Sequence, residues 1–465
     1  MSNDTIHFVS LGCPKNRVDT EIMLGIAESE GYTHVDEPAD ARVIVVNTCG
    51  FIDAAKRESV ETILALAENK NTGRCEKLVV AGCLSQRYPD ELARDMPEVD
   101  HFLGTGDVPR LGQVLNEQID RILVGNPADF TLTSELPRRL STRGSSAYVK
   151  IAEGCNRSCA FCIIPALRGK QRSRPIQDVL EEVEHLADVG IVEVNLVSQD
   201  TIAYGRDRDD GARLPELVRR IAEVQELRWV RLHYLYPEQL SEELLELMAE
   251  HPKVLPYIDL PLQHASSDVL KRMRRPYKGP DPRMLIERLR ETIPEVVLRT
   301  AFIVGHPGET PEAFEELCQL VRDVEFDRMG IFLYSDESGT ASFSQDDKVG
   351  RTMARARARK LAALQRRISR TKNRKLVGEE LTVLVEGESS ESELVMIGRH
   401  AGQAPEIDGC VYLSGGPVAA GELWRSRVLG ATDYDLHAEA LAPLSPLPRC
   451  GAERRERRRL SVVRG

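Results

Sequence analysis

The sequence predicts a multidomain α/β protein: an N-terminal parallel α/β domain, a partial (β/α)6 barrel and a small C-terminal β-barrel. Three observations carry that prediction. The chain has 465 residues, a length that suits about three domains. Through its first two thirds, apolar β-rich runs alternate with helical patterns, which implies parallel sheets covered on both faces. The last third changes to short alternating strands separated by Gly-rich turns, the pattern of a small closed barrel.

The N-terminal strands are Ile6–Leu11, Arg42–Thr48 and Lys77–Gly82. Helical patterns cover Arg17–Ser29, Ala54–Glu68 and Pro89–Asp95, and Pro109–Asn126 reads as a final helix and strand. Each strand runs into a cysteine: Cys13, Cys49 and Cys83. In a parallel sheet the carboxyl ends share one edge, and ligands bind in the crevice outside it. The three thiols should therefore converge, although 36 and 34 residues separate them. Gly12, Gly50 and Gly82 flank them and leave room for a bulky ligand. Convergence suggests a three-thiolate cluster site. Ser, Thr, Pro and Arg then dominate up to Ser146, placing this domain at residues 5–130 and a linker at 131–146.

The barrel strands are Ala147–Ala152, Val192–Val197, Trp229–Leu235, Tyr257–Leu260, Leu298–Val304 and Gly330–Tyr334. Helices between them include Pro175–Val189, Pro215–Val224, Ser241–Ala249 and Pro311–Val321. Each of those three prolines sits near a helix start, where a missing N–H is tolerated. Six β/α units over residues 147–375 make a barrel open on one side, with functional groups on the loops after the strands. The first strand leads straight into Cys155–Asn156–Arg157–Ser158–Cys159–Ala160–Phe161–Cys162. Thiols spaced four and then three apart match no common structural zinc pattern. They suit an iron–sulfur cluster that keeps one iron without a protein ligand, and an open position is where a metal does chemistry. The plainer alternative is a tight turn in which three cysteines happen to lie close. The polar loops Ser198–Asp200, Tyr236–Pro237, Pro261–His264 and Gly305–Glu309 share the same predicted edge.

Composition narrows the function classes. A net charge of −11 argues against wholesale nucleic-acid binding and permits a basic protein partner. Ten cysteines are too few for a disulfide scaffold of this length, and a reducing compartment keeps them as thiols. Met1–Ser10 has no long apolar core, and no run reaches the length of a membrane span. The cytoplasm is the expected location.

The Cys155-x3-Cys159-x-Phe161-Cys162 pattern resembles the cluster motif of the radical S-adenosylmethionine (SAM) superfamily. The whole arrangement resembles the radical SAM methylthiotransferase family, with an N-terminal three-cysteine domain, a radical SAM barrel and a terminal TRAM domain. The words Gly12–Asn16, Asn47–Ile52, Ser198–Thr201, Arg231–Tyr234, Pro261–Ser266 and Ala404–Gly409 are similar to the branch that modifies a ribosomal protein. The similarity runs from about Ile6 to His437. One departure is His306, where Phe is more familiar. The resemblance implies two 4Fe-4S clusters, ligated by Cys155, Cys159 and Cys162 and by Cys13, Cys49 and Cys83. It implies that the first cluster binds and reduces SAM to a deoxyadenosyl radical, which takes hydrogen from a substrate β-carbon. The second would hold a sulfur that is methylated by another SAM and then transferred. The expected substrate is an aspartate in the twelfth protein of the small ribosomal subunit; the alternative is N6-isopentenyladenosine in tRNA. A non-catalytic iron–sulfur electron carrier is a third reading, opposed by the open-iron spacing. Phe161, Arg231, His233, Gln263 and Gly305 are expected to bind SAM. A flavodoxin- or ferredoxin-like electron donor, a monomer and no membrane association are also expected.

Arg351–Lys375 reads as a helix with eleven Lys or Arg and no acid, with Leu361, Leu364 and Ile368 as an apolar stripe. A connecting helix packed on the barrel is the favoured reading, and a phosphate-binding surface the alternative. The small barrel, residues 376–445, carries twelve acids against three bases, a net of −9. Such a charge suits a basic protein and repels tRNA. Residues 446–465 hold an Arg-rich stretch expected to be a disordered solvated tail.

Overall fold

The computed structural model describes residues 4–116, 119–141, 144–275, 281–389 and 392–444. The Arg-rich tail lies outside the described residues.

Six parallel strands form the first sheet: β1 Thr5–Ser10, β2 Thr33–His34, β3 Val43–Thr48, β4 Lys77–Gly82, β5 His101–Leu103 and β6 Ile122–Leu123. Their spatial order is β2-β1-β3-β4-β5-β6. Alternation along the strands sorts the two faces. Val43, Val45 and Val79 pack with Val18, Ile22 and Met23 of helix α1 Pro14–Ser29. Ile44, Val46, Leu78 and Val80 pack with Ile63 of α2 Asp53–Ala67. Four short helices complete the domain: α3 Asn69–Thr72, α4 Cys83–Arg87, α5 Pro89–Asp95 and α6 Leu111–Asn116. The order reverses between β1 and β3, and such a switch point opens a crevice at the carboxyl edge. Cys13 and Cys49 follow those two strands.

The second sheet contains β7 Ser146–Lys150, β10 Glu193–Val197, β11 Trp229–Leu232, β12 Val254–Gln263, β13 Val297–Val304 and β14 Arg328–Leu333. They pair in sequence order and all in parallel, and β7 does not close on β14. This is the expected partial barrel. A two-stranded ribbon, β8 Ala152–Glu153 with β9 Arg172–Ser173, brackets the cysteine turn. Helices α7 Ile164–Arg168, α8 Ile176–Asp188, α9 Leu214–Ala222, α10 Glu242–Glu250, α11 Ser267–Arg272, α12 Pro282–Thr292, α13 Pro311–Val324 and α14 Arg351–Lys375 connect and cover the strands. One large apolar core joins sheet and helices. β12 is longer than its predicted Tyr257–Leu260 and holds Pro256 and Pro261; its ladder shifts register between Leu260 and Gln263. A register shift lets a strand carry residues without a donor.

Five strands close the C-terminal barrel: β15 Glu380–Ser389, β16 Ser392–His400, β17 Val411–Ser414, β18 Leu423–Ala431 and β19 Leu436–Pro443. The loop after β16 reaches into the larger barrel. Tyr148 donates to Pro405 O at 3.1 Å, Tyr257 to Asp408 Oδ2 at 2.7 Å and Arg231 to Ala401 O at 2.8 Å. Arg399 pairs with Glu193, and Arg17 of α1 with Glu406. All three domains therefore meet at this loop.

Candidate active site

The barrel cysteines sit on a turn pinned at several points. Cys155 N donates to Gly169 O, Ala160 N to Met273 O at 2.8 Å, and Ser342 N to Ala160 O at 2.7 Å. Each sulfur meets one N–H donor. Arg157 N lies 3.4 Å from Cys155 Sγ, Ile164 N 3.4 Å from Cys162 Sγ, and Arg275 Nη1 3.8 Å from Cys159 Sγ. Such donors stabilise thiolate and tune a metal bound to it. Without metal, burial pushes the Cys155 thiol up to about 11 and Cys162 to about 12, so metal binding releases protons. Arg157 and Arg275 both stack on Tyr236, their guanidinium carbons 3.7 and 4.2 Å from its ring centroid. Arg157 also bonds Asp200 at 2.6 Å.

The N-terminal cysteines converge as the strand argument requires. A side chain at Gly12, φ +94°, would place its Cβ 2.8 Å from Cys49 Cβ. At Gly50 it would lie 2.6 Å from Cys83 O. Burial pushes Cys49 up to about 12, and the neighbouring Cys83 and Cys13 thiols add to that rise. Burial likewise raises Cys83, against the pull of Arg168. Arg168 Nη2 lies 3.7 Å from Cys83 Sγ, 2.6 Å from Asn16 Oδ1 and 3.0 Å from Asp19 Oδ2; its Nη1 reaches Glu153 Oε1 at 3.0 Å. Glu153 precedes the cysteine turn, Asp19 is on α1, and Lys150 pairs with both. This network is almost wholly buried and spans the two domains.

The two thiol sets are neighbours. Cys83 packs with Ile163, which follows Cys162 directly, and with Leu167 of α7. Lys15 lies 3.8 Å over the ring of Tyr234, just past the end of β11. On the other flank, Glu337 takes both Lys56 and Arg87 at 2.6 and 2.8 Å. Among the described residues no three His, Cys, Asp or Glu gather around one ion-sized point. A three-thiol set with no fourth protein ligand fits a multinuclear cluster better than a structural zinc ion.

The expected SAM contacts fall into different places. Gln263, φ +69°, and Gly305, φ +83°, stand where β12 and β13 end, on the edge that carries the cysteine turn. Gly305 N donates to Glu309 Oε2 at 2.6 Å. Phe161 packs with Val269, Leu270 and Met273 of the α11 segment. Arg231 lies within β11, fully buried, and is held by Glu193 and Ala401 O toward the C-terminal barrel. His233 fills the barrel lumen beside Asn195, Asp259 and Tyr257. Burial lowers its pKa although Asp259 opposes the shift. Residues the sequence did not single out include Arg168 and Arg275, and Lys15 and Tyr234 were marked only as parts of family words. Their partners are distant in sequence, so no local spacing marks them.

Three family models match in order. They are the Uncharacterized protein family UPF0004 over residues 5–104, the Radical SAM superfamily over 149–321, and the TRAM domain over 377–441. A protein of Sorangium cellulosum named Ribosomal protein uS12 methylthiotransferase RimO is 59% identical, over 95% of this chain and 92% of that protein. One of Myxococcus xanthus with the same name is 48% identical, over 96% and 93%. This chain belongs to the RimO family of radical SAM methylthiotransferases. Membership in the RimO family makes SAM and a 4Fe-4S cluster its cofactors. Among solved structures, the radical SAM methyltransferase TsrM of Kitasatospora setae superposes with a TM-score of 0.54 at 15% identity, over 72% of each chain. That likeness concerns the fold. Among the described residues no helix is long and apolar enough to cross a membrane.

Proposed function

We propose that this enzyme adds a methylthio group to the β-carbon of an aspartate in ribosomal protein uS12. Cys155, Cys159 and Cys162 hold the radical SAM cluster, and Cys13, Cys49 and Cys83 hold an auxiliary 4Fe-4S cluster. The first cluster supplies one-electron cleavage of SAM and the second supplies the sulfur to be transferred. The observation that supports this reading is the contact of Cys83 with Ile163 and Leu167, as two adjacent thiol sites require. Adjacent sites would let Cys13, Cys49 and Cys83 hold the sulfur donor within reach of a substrate carbon activated beside Cys155, Cys159 and Cys162, without release of the substrate.

The chain's own residues fix that geometry. Arg168 and Lys150 bridge the domains through Asp19 and Glu153. Arg275 and Arg168 each bring a cation to one thiolate set, offsetting its negative charge. Gln263 and Gly305 are proposed SAM contacts, with Phe161 and His233 behind them. The units are the N-terminal domain at 5–130, the barrel at 147–375 and the TRAM domain at 376–445.

The acidity of the TRAM domain supports a protein substrate less strongly than its charge count suggests. Glu380, Glu386, Glu406, Asp408 and Asp433 already meet Arg425 and Arg427, Arg399, Arg17, Arg299 and Arg370. The deciding test offers uS12 and isopentenylated tRNA side by side to anaerobically reconstituted enzyme with SAM and dithionite. A methylthio mass gain on a uS12 aspartate with tRNA unchanged is expected. A gain on tRNA alone would overturn the assignment.

A further inference from the structure

We propose that the exposed face of α14 is a phosphate-binding stripe that docks the enzyme on ribosomal RNA beside its protein target. This rests on the reading that the target is a ribosomal protein.

The helix has two distinct sides. Ala354, Arg357, Leu361, Gln365 and Ile368 are buried, and at about 100° per residue they share one arc. Arg355, Arg359, Arg366, Arg367, Arg370 and Arg374 are exposed and fall within about 120° on the opposite side. The stripe runs for about 29 Å along the helix axis. No acid interrupts the helix.

Several surface arginines elsewhere have carboxylate partners, as Arg219 with Glu216 and Glu243, Arg283 with Asp323, and Arg322 with Glu315; exposed Arg74 and Arg206 have none but stand singly. In the stripe, Arg366 and Arg370 share the single carboxylate of Asp433. Among the described residues, Arg355, Arg359, Arg367 and Arg374 lie within ion-pair distance of no carboxylate. Like charges four apart, as at Arg355 and Arg359 or Arg370 and Arg374, oppose the helix that carries them. A line of external anions removes that repulsion, and guanidinium matches phosphate in two-toothed geometry.

The stripe narrows the kind of polyanion. The helix itself contains no aromatic residue, so the stripe's own side chains read backbone charge and shape, as for folded RNA, and do not stack unpaired bases. An anionic membrane is a poorer fit, because the apolar side of α14 is already committed to the barrel. Orientation is rigid. Arg357 Nη1 donates to Glu309 O at 2.8 Å and to Oε1 at 2.6 Å, and Gln365 donates to Phe326 O at 2.7 Å. Glu309 in turn receives Gly305 N. RNA held on the stripe therefore sets the attitude of the barrel mouth.

The test is the full chain with Arg355, Arg359, Arg367 and Arg374 all changed to Gln, compared with a version carrying Lys at all four. The four side chains are exposed and make no ion pair, so both variants should fold. Three readouts are taken: filter binding to protein-free small-subunit RNA across KCl concentrations, modification of free uS12, and modification of intact small subunits. The Gln variant should bind RNA at least about tenfold more weakly. Its log–log salt slope should be smaller by about three, at about 0.7–0.9 per lost phosphate contact. It should modify free uS12 at the parent rate and intact subunits several-fold more slowly, with the Lys version near parent. Unchanged RNA affinity and salt slope in the Gln variant would overturn the stripe. A parent that modifies neither form of uS12 would sink the substrate assignment, while the RNA measurement would still judge the stripe.

Discussion

At the barrel mouth, three thiols come from eight consecutive residues; at the edge of the N-terminal sheet, three come from the ends of β1, β3 and β4. Both sets have one buried and two half-buried cysteines. Both have a guanidinium near one sulfur, Arg275 at Cys159 and Arg168 at Cys83. The difference lies in what holds them. The barrel set is defined by a local turn whose sulfurs accept from its own backbone and from the neighbouring Arg275. The N-terminal set exists only when three strands are in register, and the cation beside it, Arg168, comes from α7 of the other domain. A local motif can assemble a cluster early, whereas a dispersed one depends on the completed fold.

The largest effects should come from the ligands themselves. Cys159→Ala is expected to abolish deoxyadenosine formation from SAM while the N-terminal cluster still assembles, as read by iron content and absorbance. Cys49→Ala should do the reverse: SAM is still cleaved and no methylthio product appears. Full transfer by the Cys49 variant would end the two-site account.

The guanidinium pair gives the next test. Arg168→Met removes one of the two cations between Asp19 and Glu153 and leaves Lys150 alone against both buried carboxylates. Breaking such a pairing destabilises by about 3–5 kcal/mol, read as a lower Tm. In a background where Cys155, Cys159 and Cys162 are Ala, the same change should move the reduction potential of the remaining cluster to more negative values, since a nearby positive charge favours the reduced state. Arg275→Met should do this only to the barrel cluster. If Arg168→Met leaves the N-terminal potential in place, Arg168 is a structural bridge alone.

How much of this was readable beforehand follows the same divide. The cysteine turn was legible because its ligands are contiguous. Cys13, Cys49 and Cys83 were legible because parallel strands end on a common edge. Their guanidinium partners were not, since Arg168 meets Asn16 across a domain contact of 152 positions. The partner of Arg231 was hidden for a related reason: its strand position was readable, but the TRAM loop that holds it is 170 residues away. Strand ends shifted where backbone geometry intervened. The strand expected over Trp229–Leu235 stops at Leu232, because Tyr234 turns to φ +59°, outside the extended region. The TRAM acids were countable, but their pairing depended on arginines in distant elements.

The smallest expected effect concerns His306, the one departure from the family's words, and it tests how tightly the barrel set is supported from behind. His306 is buried, shares a hydrogen bond with Ser342 Oγ at 2.8 Å through Nε2, and lies edge-on to Tyr334. Ser342 N holds Ala160 O in the cysteine turn. Burial lowers the pKa of His306 to about 4, so the folded protein binds its proton less readily than the unfolded chain does. A depressed folded value means the stabilising contribution is fully present above the unfolded pKa of about 6.5 and is lost as pH falls toward 4. The full contribution is on the order of 3 kcal/mol. His306→Phe removes the titrating group while keeping an aromatic ring. The variant should therefore lose less Tm than the parent between pH 6.5 and 4, with SAM cleavage at neutral pH reduced no more than about twofold. An unchanged pH slope would place the acid sensitivity elsewhere. A large loss of cleavage would mean that the Ser342 contact, and through it the turn, depends on imidazole.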